Sequence, residues 1–478
     1  MALTAVLAAA LVRLWLMPLP SSFWADEAGT VFVARYGAAR VETAVSIYFP
    51  LVRAAAALGG SSEVVYRLPS TLAMLAALLL CARLAARLIH PQAAWFAAFA
   101  CMTEHAFNFQ AADARPYALG TAVMAAALWF EVRWLDRARR RDAVLFFLFA
   151  ALLLPIHPLY WPFLLVFGGY ALARFACQDT PVTRLGAAVV FAALAVAVIP
   201  VPLAELRLAR DAREHVIVPE PGAKSLLRSL VPSLVLGCWA GAWLLSRIFR
   251  GAAASPRPAR SSLALVALWW LCPPVALFAM SHLTGISVFV GRYYSLALPG
   301  AALAGTALAA RFLPSRLWKP VALFLGIAVL LVRGDWRELW PPHADDDWRG
   351  AALAINQLAG PATPVLCPSP FVEAQPPGWY PGYPLVSFAY STQVVYPIRG
   401  RVVPLPFSAP PTDEFFAAAV PRRDLAAAGR FFVYGHQINA LFWEDWCRGQ
   451  PETAGWTMRR LGPFGHVIVA EFERPVRE

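Results

Sequence analysis

The side chains best placed to do chemistry in this 478-residue sequence are a few charged and aromatic groups at the edges of long apolar runs. Asp26 and Glu27, in Ser22-Phe-Trp-Ala-Asp-Glu-Ala-Gly-Thr30, follow the first run by a few residues. An adjacent carboxylate pair at a membrane surface suits general-base work on an incoming hydroxyl, alone or with a metal. The plainer reading is a pair of solvated charges closing a helix. Asp113-Ala-Arg115-Pro-Tyr117 opens another run, where Pro116 is tolerated in a first turn and Asp113 precedes the helix. Its alternative is a helix cap beside an arginine that snorkels to the interface. Glu104 and His105 fall inside a run near one end, where ionisable groups are costly enough to be functional candidates, unless they pair with each other or with Arg13. His157, at the end of a further run, reads as a substrate or metal contact or as a hydrogen-bonded core group. Gly291-Arg292-Tyr293-Tyr294 precedes a late run. A planar, bidentate cation there is what phosphate recognition in a headgroup layer needs, and an interfacial Arg/Tyr anchor is the structural counterpart.

The elements that must position these residues are membrane helices. The chain is 59% hydrophobic and 15% charged, so a bilayer is the expected solvent. Apolar spans fall at 3–20, 67–89, 92–111, 115–134, 143–157, 159–176, 185–204, 229–247, 262–282, 293–311 and 318–333, about eleven in all. The first lacks a basic leader and a small-residue cleavage site, which predicts a retained span. The net charge of +12 does not imply nucleic acid, because the arginines cluster between spans as the positive-inside rule requires. Arg83 and Arg87, Arg137 to Arg141, Arg174 and Arg184, Arg247 to Arg260, and Arg311 to Lys319 all fall on one side, which makes it cytoplasmic. Residues 334–478 then lie outside, on the same side as the 21–66 loop, Asp113, His157 and Arg292. The 206–228 loop disagrees, being outward yet carrying Arg207, Arg210, Arg213, Lys224 and Arg228. An interfacial helix touching lipid phosphates or substrate accounts for it.

After residue 333 the pattern changes, and 334–478 reads as a separate extracytoplasmic α/β domain following a 1–333 membrane domain. Residues 348–358 read as a helix, 364–367, 430–435 and 466–472 as strands, and 368–411 as loop rich in Pro, Gly and aromatics. The seven cysteines show no metal-ligand or CxxC spacing, and Cys367 and Cys447, the two in the polar region, could form a disulfide outside the cytoplasm.

In its order of motifs the chain resembles the bacterial family 39-type glycosyltransferases of the GT-C fold, relatives of protein O-mannosyltransferases and of the lipid A aminoarabinose transferase. The matching pieces are Trp24-Ala-Asp-Glu-Ala28, Glu63-Val-Val-Tyr-Arg-Leu-Pro-Ser70, Asp113-Ala-Arg-Pro-Tyr117, His157, Arg292-Tyr293 and Asp347-Trp-Arg-Gly350. The resemblance implies a multi-span enzyme of the bacterial inner membrane that passes a sugar, with inversion, from a polyprenyl phosphate to an acceptor hydroxyl at the outer face. It implies Asp26 as general base, Glu27 in support of it or of a metal, Asp113 as a second acidic group, and Arg292, Arg115 and Tyr293 at the donor phosphate. Two departures stand out. Ser46-Ile-Tyr-Phe-Pro-Leu51 replaces a His-Pro-Pro-Leu-Tyr-like stretch common in relatives, and Asp113 stands where Glu is frequent. Whether a divalent metal such as Mg takes part is therefore left open. A transporter or flippase for lipid-linked sugars would use the same outward charges without bond making. Its marks would be mid-membrane charges and two related halves, and neither is evident.

Overall fold

The computed structural model describes residues 1–37, 46–203, 219–248, 257–375, 378–408, 412–420 and 422–475. Arg207, Arg210, Arg213 and Arg250 lie outside the described residues. The chain divides into two compact units that do not follow chain order. One comprises Met1–Leu19, Ala44–Leu51 and Arg67–Pro341, and the other Pro20–Thr43, Val52–Tyr66 and Pro342–Glu478.

The first unit is a helical bundle. Among the described residues, six helices are long and apolar enough to cross a membrane: Glu63–Leu88, Tyr117–Arg137, Pro158–Ala176, Arg184–Leu203, Arg260–Thr284 and Ser315–Arg333. Ala223–Leu230 and Ser233–Ile248, bent by 46°, make a seventh if taken as one span. The remaining apolar segments of the sequence are helical but shorter or broken. Ala2–Leu11 runs on into a π-helical turn, Val12–Leu16, and Arg140–Ile156 is 17 residues long. The 92–111 segment splits into Ala94–Met102 and His105–Ala111, and Leu298–Ala310 starts only after a 3-10 turn at Ser295–Ala297. Glu104 sits at the split with extended backbone, so its charge coincides with a helix end. The described part of the 206–228 loop holds a short helix, Ala223–Leu230, with no buried residue and with Leu227 turned out of the protein.

Neighbouring helices approach closely where glycine removes the side chain. A Cβ on Gly300 would lie 2.7 Å from the Trp270 backbone nitrogen, and one on Gly326 would lie 2.7 Å from the Phe99 ring. At one end of the bundle the basic clusters meet. Arg174 donates to Asp136 at 2.8 Å and to Asp179 at 2.5 Å, and Arg87 pairs with the same Asp136. Three helix ends separated in sequence thus share one end of the unit, as their common sidedness in the sequence requires.

The second unit contains a five-stranded sheet of order β2-β1-β3-β5-β4, with β1 Pro364–Pro368, β2 Arg401–Leu405, β3 Arg430–His436, β4 Thr457–Leu461 and β5 Val467–Glu473. β1 pairs in parallel with β2 and β3, and β5 pairs antiparallel with β3 and β4. The expected helix is Trp348–Leu358, capped by the Asp347 carboxylate, which accepts from the Gly350 amide at 2.9 Å. The expectation of continuous loop over 368–411 is corrected by β2 and by a helical turn at Ser391–Val395. Pro404 hides the strand in the sequence, yet an edge strand tolerates a missing amide donor.

Each face of the sheet carries its own apolar core. Leu366, Phe431, Val433, Trp443, Cys447 and Phe472 pack on one side, and Trp348, Ile355, Val365, Cys367, Phe432 and Tyr434 on the other. This alternation separates Cys367 from Cys447 and corrects the disulfide expectation: both are free and buried, and burial raises both thiol pKa values. Seven thiols per chain should therefore titrate with a thiol reagent in denaturant without reductant. A count of five would restore a disulfide.

Candidate active site

In the first unit, the turn before the Tyr117–Arg137 helix is held by the start of the long Glu63–Leu88 helix. Ser70 Oγ donates to the Arg115 carbonyl at 3.1 Å and lies 2.7 Å from the Tyr48 hydroxyl, while Thr71 donates to the Ala111 carbonyl at 2.8 Å. The Arg115 amide closes the turn on the Asp113 carbonyl at 2.7 Å. These bonds fix Asp113, only 1% exposed, and Arg115 at a helix entrance that the chain could not otherwise hold in shape. The Arg115 guanidinium lies 5.8 Å from the Tyr117 ring centroid.

His157 stands where the Arg140–Ile156 helix ends, and its Nδ1 accepts from the Leu159 amide at 3.3 Å. Its ring is surrounded by Tyr293 at 4.9 Å, Tyr160 at 5.2 Å and Tyr117 at 6.3 Å between centroids. Arg292 lies 5.4 Å from the Tyr293 ring, and its carbonyl accepts from Ser295, whose hydroxyl accepts in turn from Gln110 at 2.7 Å. The Arg115 and Arg292 charges both bear on the His157 ring. Three helix ends thus gather Arg115, His157, Arg292 and Tyr293, with Asp113 in the same turn as Arg115, into an aromatic cage with two guanidinium groups, an arrangement suited to an anion carried on an apolar or sugar body.

The structure does not bring Glu104 and His105 into this group. Glu104 lines a cleft of about 470 Å³ together with Ser225, Arg228, Phe289 and Tyr294. The His105 ring lies 5.9 Å from that of Phe109. Pairing of either residue with Arg13 is corrected. The five donor hydrogens of Arg13 go to the carbonyls of Gly334, Asp335, Glu338 and Leu339 and to the Met17 sulfur.

In the second unit, Asp26 and Glu27 sit in the first turn of the helix Ala25–Tyr36. Glu27 is fully buried, and one of its carboxylate oxygens accepts from the Trp24 amide at 3.3 Å, while Asp26 is half-buried. Glu27 therefore contributes to the fold of the turn as well as to any chemistry. Gly29 sits against Phe388, 2.6 Å from where a Cβ would be, so the helix lies tight on the segment after β1.

A polar tie holds the approach to this helix. Arg349 donates to Glu63 at 2.9 Å and to the Pro20 carbonyl at 3.0 Å, and its amide donates to Ser22 at 3.1 Å. The Tyr396 hydroxyl donates to Glu63 at 3.0 Å and accepts from the Phe23 amide at 2.9 Å. Burial raises the Tyr396 pKa, which keeps that proton in place. The Glu63 and Arg349 motifs, unassigned from sequence, are thus the supports of the Asp26 turn. Their signal was charge at fixed places in otherwise apolar or aromatic stretches. Tyr160, also missed, is marked by Gly120, whose missing side chain leaves room for the Tyr160 ring 2.5 Å from a would-be Cβ.

Gly120→Val should push Tyr160 into the His157 cage at a cost of about 1–3 kcal/mol, typical of overpacking. Thermal unfolding in detergent should register the loss. An unchanged midpoint would show that the ring moves aside freely.

Comparison with known proteins agrees with this architecture. Residues 47–200 match the family model described as dolichyl-phosphate-mannose-protein mannosyltransferase. Among curated proteins there is no match. Two crystal structures of ArnT from Cupriavidus metallidurans are similar over nearly the whole chain. The one bound to undecaprenyl phosphate shares 14% identity and covers 98% of this chain and 97% of its own, with a TM-score of 0.53. The apo structure shares 15% identity with the same coverage and TM-score. The chain has the GT-C glycosyltransferase fold of ArnT, with a small sheet-containing region at its C-terminal end.

Proposed function

We propose that this protein is a multi-pass membrane glycosyltransferase that moves a sugar from a polyprenyl phosphate to an acceptor hydroxyl, with inversion, at the outer face of a bacterial inner membrane. The observation that carries the reading is the convergence of Arg115 and Arg292 on the aromatic cage around His157, at helix ends remote from the basic end of the bundle. The match to a mannosyltransferase family and the undecaprenyl phosphate bound by ArnT support a lipid phosphate as the group recognised.

The chemistry follows from the leaving group. The acceptor oxygen attacks the anomeric carbon on the side opposite the phosphate, its proton passes to the Asp26 carboxylate, and the bond from anomeric carbon to phosphate oxygen breaks with its electron pair on the phosphate. Polyprenyl phosphate leaves as a monoester with one more negative charge than the singly charged diester, and Arg115 and Arg292 stabilise that added charge more strongly than the diester they first meet. Tyr293 and His157 position the phosphate and sugar, Glu27 supports Asp26, and Asp113 orients the guanidinium side of the site. A divalent ion such as Mg is part of the proposal only as an aid to Glu27 and Asp26.

The test is release of free polyprenyl phosphate, followed by mass spectrometry, from a panel of polyprenyl-phosphate sugars and acceptors. Asp26→Asn should lower turnover about 10²- to 10⁴-fold, the usual worth of a positioned base. Arg292→Ala should lower it about 10²- to 10³-fold, as for other groups that stabilise developing charge. Loss of turnover with EDTA, restored by Mg, would establish the metal. Donor binding and movement across vesicles without release from any donor would support a transporter in place of an enzyme.

A further inference from the structure

The end of β3, the residue before β5 and the segment leading into the Trp348–Leu358 helix bring Asp346, His436 and His466 together. One donor atom from each lies within 4.8 Å of the others. The glycosyl-transfer chemistry uses none of them. His466 Nδ1 lies 3.2 Å from Asp346 Oδ1, and His436 Nε2 lies 3.8 Å from the same oxygen. The Asp345 carboxylate is 3.9 Å from His466 Nε2.

Main-chain bonds hold the three in place from three directions. Asp346 forms an isolated bridge with Gly465. The His466 amide donates to the Asp345 carbonyl at 2.6 Å, the Asp347 amide to Phe464 at 3.1 Å, and the Gln437 amide to the His466 carbonyl at 2.8 Å. Only the side chains need adjust to accept a ligand. The Asp346 side chain is 9% exposed and that of His466 46%, which gives an ion a route in.

We propose that Asp346, His436 and His466 form a zinc-type divalent metal site, with Asp345 or water completing the coordination. Two imidazoles and one carboxylate are a donor set of intermediate softness that suits zinc and its first-row neighbours better than magnesium or calcium. A tetrahedral ion with bonds of about 2.0–2.1 Å places its donors about 3.3 Å apart. The half-exposed His466 ring can supply most of the closure from 4.8 Å by rotation. Ligation through His436 Nε2 moves that ring's proton to Nδ1 and gives up only the long 3.3 Å contact from the Ile438 amide. Such an ion would staple the segment entering the domain to the β3 and β5 ends of the sheet, a structural task separate from sugar transfer.

The full-length protein in detergent, stripped with chelator and titrated with Zn²⁺, tests the site. After desalting, the wild type should hold one more zinc per chain than His436→Gln or His466→Gln, and zinc should raise its unfolding midpoint more than theirs. Co²⁺ should give visible absorption bands in the wild type that both variants lose. Equal zinc content and equal midpoint shifts in all three proteins would overturn the proposal. If the histidine variants unfold early without metal, Asp346→Asn, which keeps the shape of the carboxylate, decides by the same counts. None of these readouts depends on glycosyl transfer, so the two proposals fail separately.

Discussion

A bilayer offers no hydrogen-bond partner to a backbone amide or carbonyl, and that constraint governs where this chain can place anything polar. Helix interiors satisfy themselves, but the carbonyls at a helix end do not. Arg13 shows one solution. From the π-helical turn that ends the first helix, its guanidinium reaches the carbonyls of Gly334, Asp335, Glu338 and Leu339, just past the Trp318–Arg333 helix. A buried charge would be costly alone, and four carbonyl dipoles at hydrogen-bond distance offset that cost. This side chain ties the end of the first helix to the end of the last, which also pack together where Val6 meets Gly326.

The same constraint accounts for the site. Asp113, Arg115, His157 and Arg292 all stand at helix ends, where the chain turns and polar atoms are already present. Two of these turns are secured by hydroxyl or amide side chains: Ser70 and Thr71 for the Asp113 turn, and Ser295 with Gln110 for the Arg292 turn. None of these four is a chemical group in the reaction. They convert flexible turns into fixed positions, which is the larger part of what the proposed phosphate clamp needs when the leaving group is already good.

The sequence revealed the parts of this design that repeat and concealed those that depend on a single contact. Hydrophobic runs located the bundle, and charge at their edges singled out Asp26, Asp113, Arg115, His157 and Arg292 as candidates. The helix Trp348–Leu358 was legible to the residue because its cap and its periodic apolar face agree. β2 and β4 were not, since both are edge strands: Pro404 interrupts one, and the arginines Arg459 and Arg460 on the other point to solvent and to Glu471 and Glu444. Cys367 lies on β1 and Cys447 on the helix Gln437–Arg448 that packs against the other sheet face, a separation that no local pattern records. Likewise, the charge of Glu63 and Arg349 was visible, but their meeting, 286 residues apart in sequence, was not.

That last pair shows how the turn that carries the acidic residues is held. Glu27 spends an oxygen on the Trp24 amide, and Glu63 spends its charge on Arg349 and the Tyr396 proton, so both carboxylates serve the fold. Asp26 stands in the same first turn and is half-buried. A general base must be reached by the incoming hydroxyl, which partial exposure allows and full burial restricts. The proposed role of Asp26 as base agrees with this partial exposure, while the hydrogen bonds of Glu27 and Glu63 serve the turn itself.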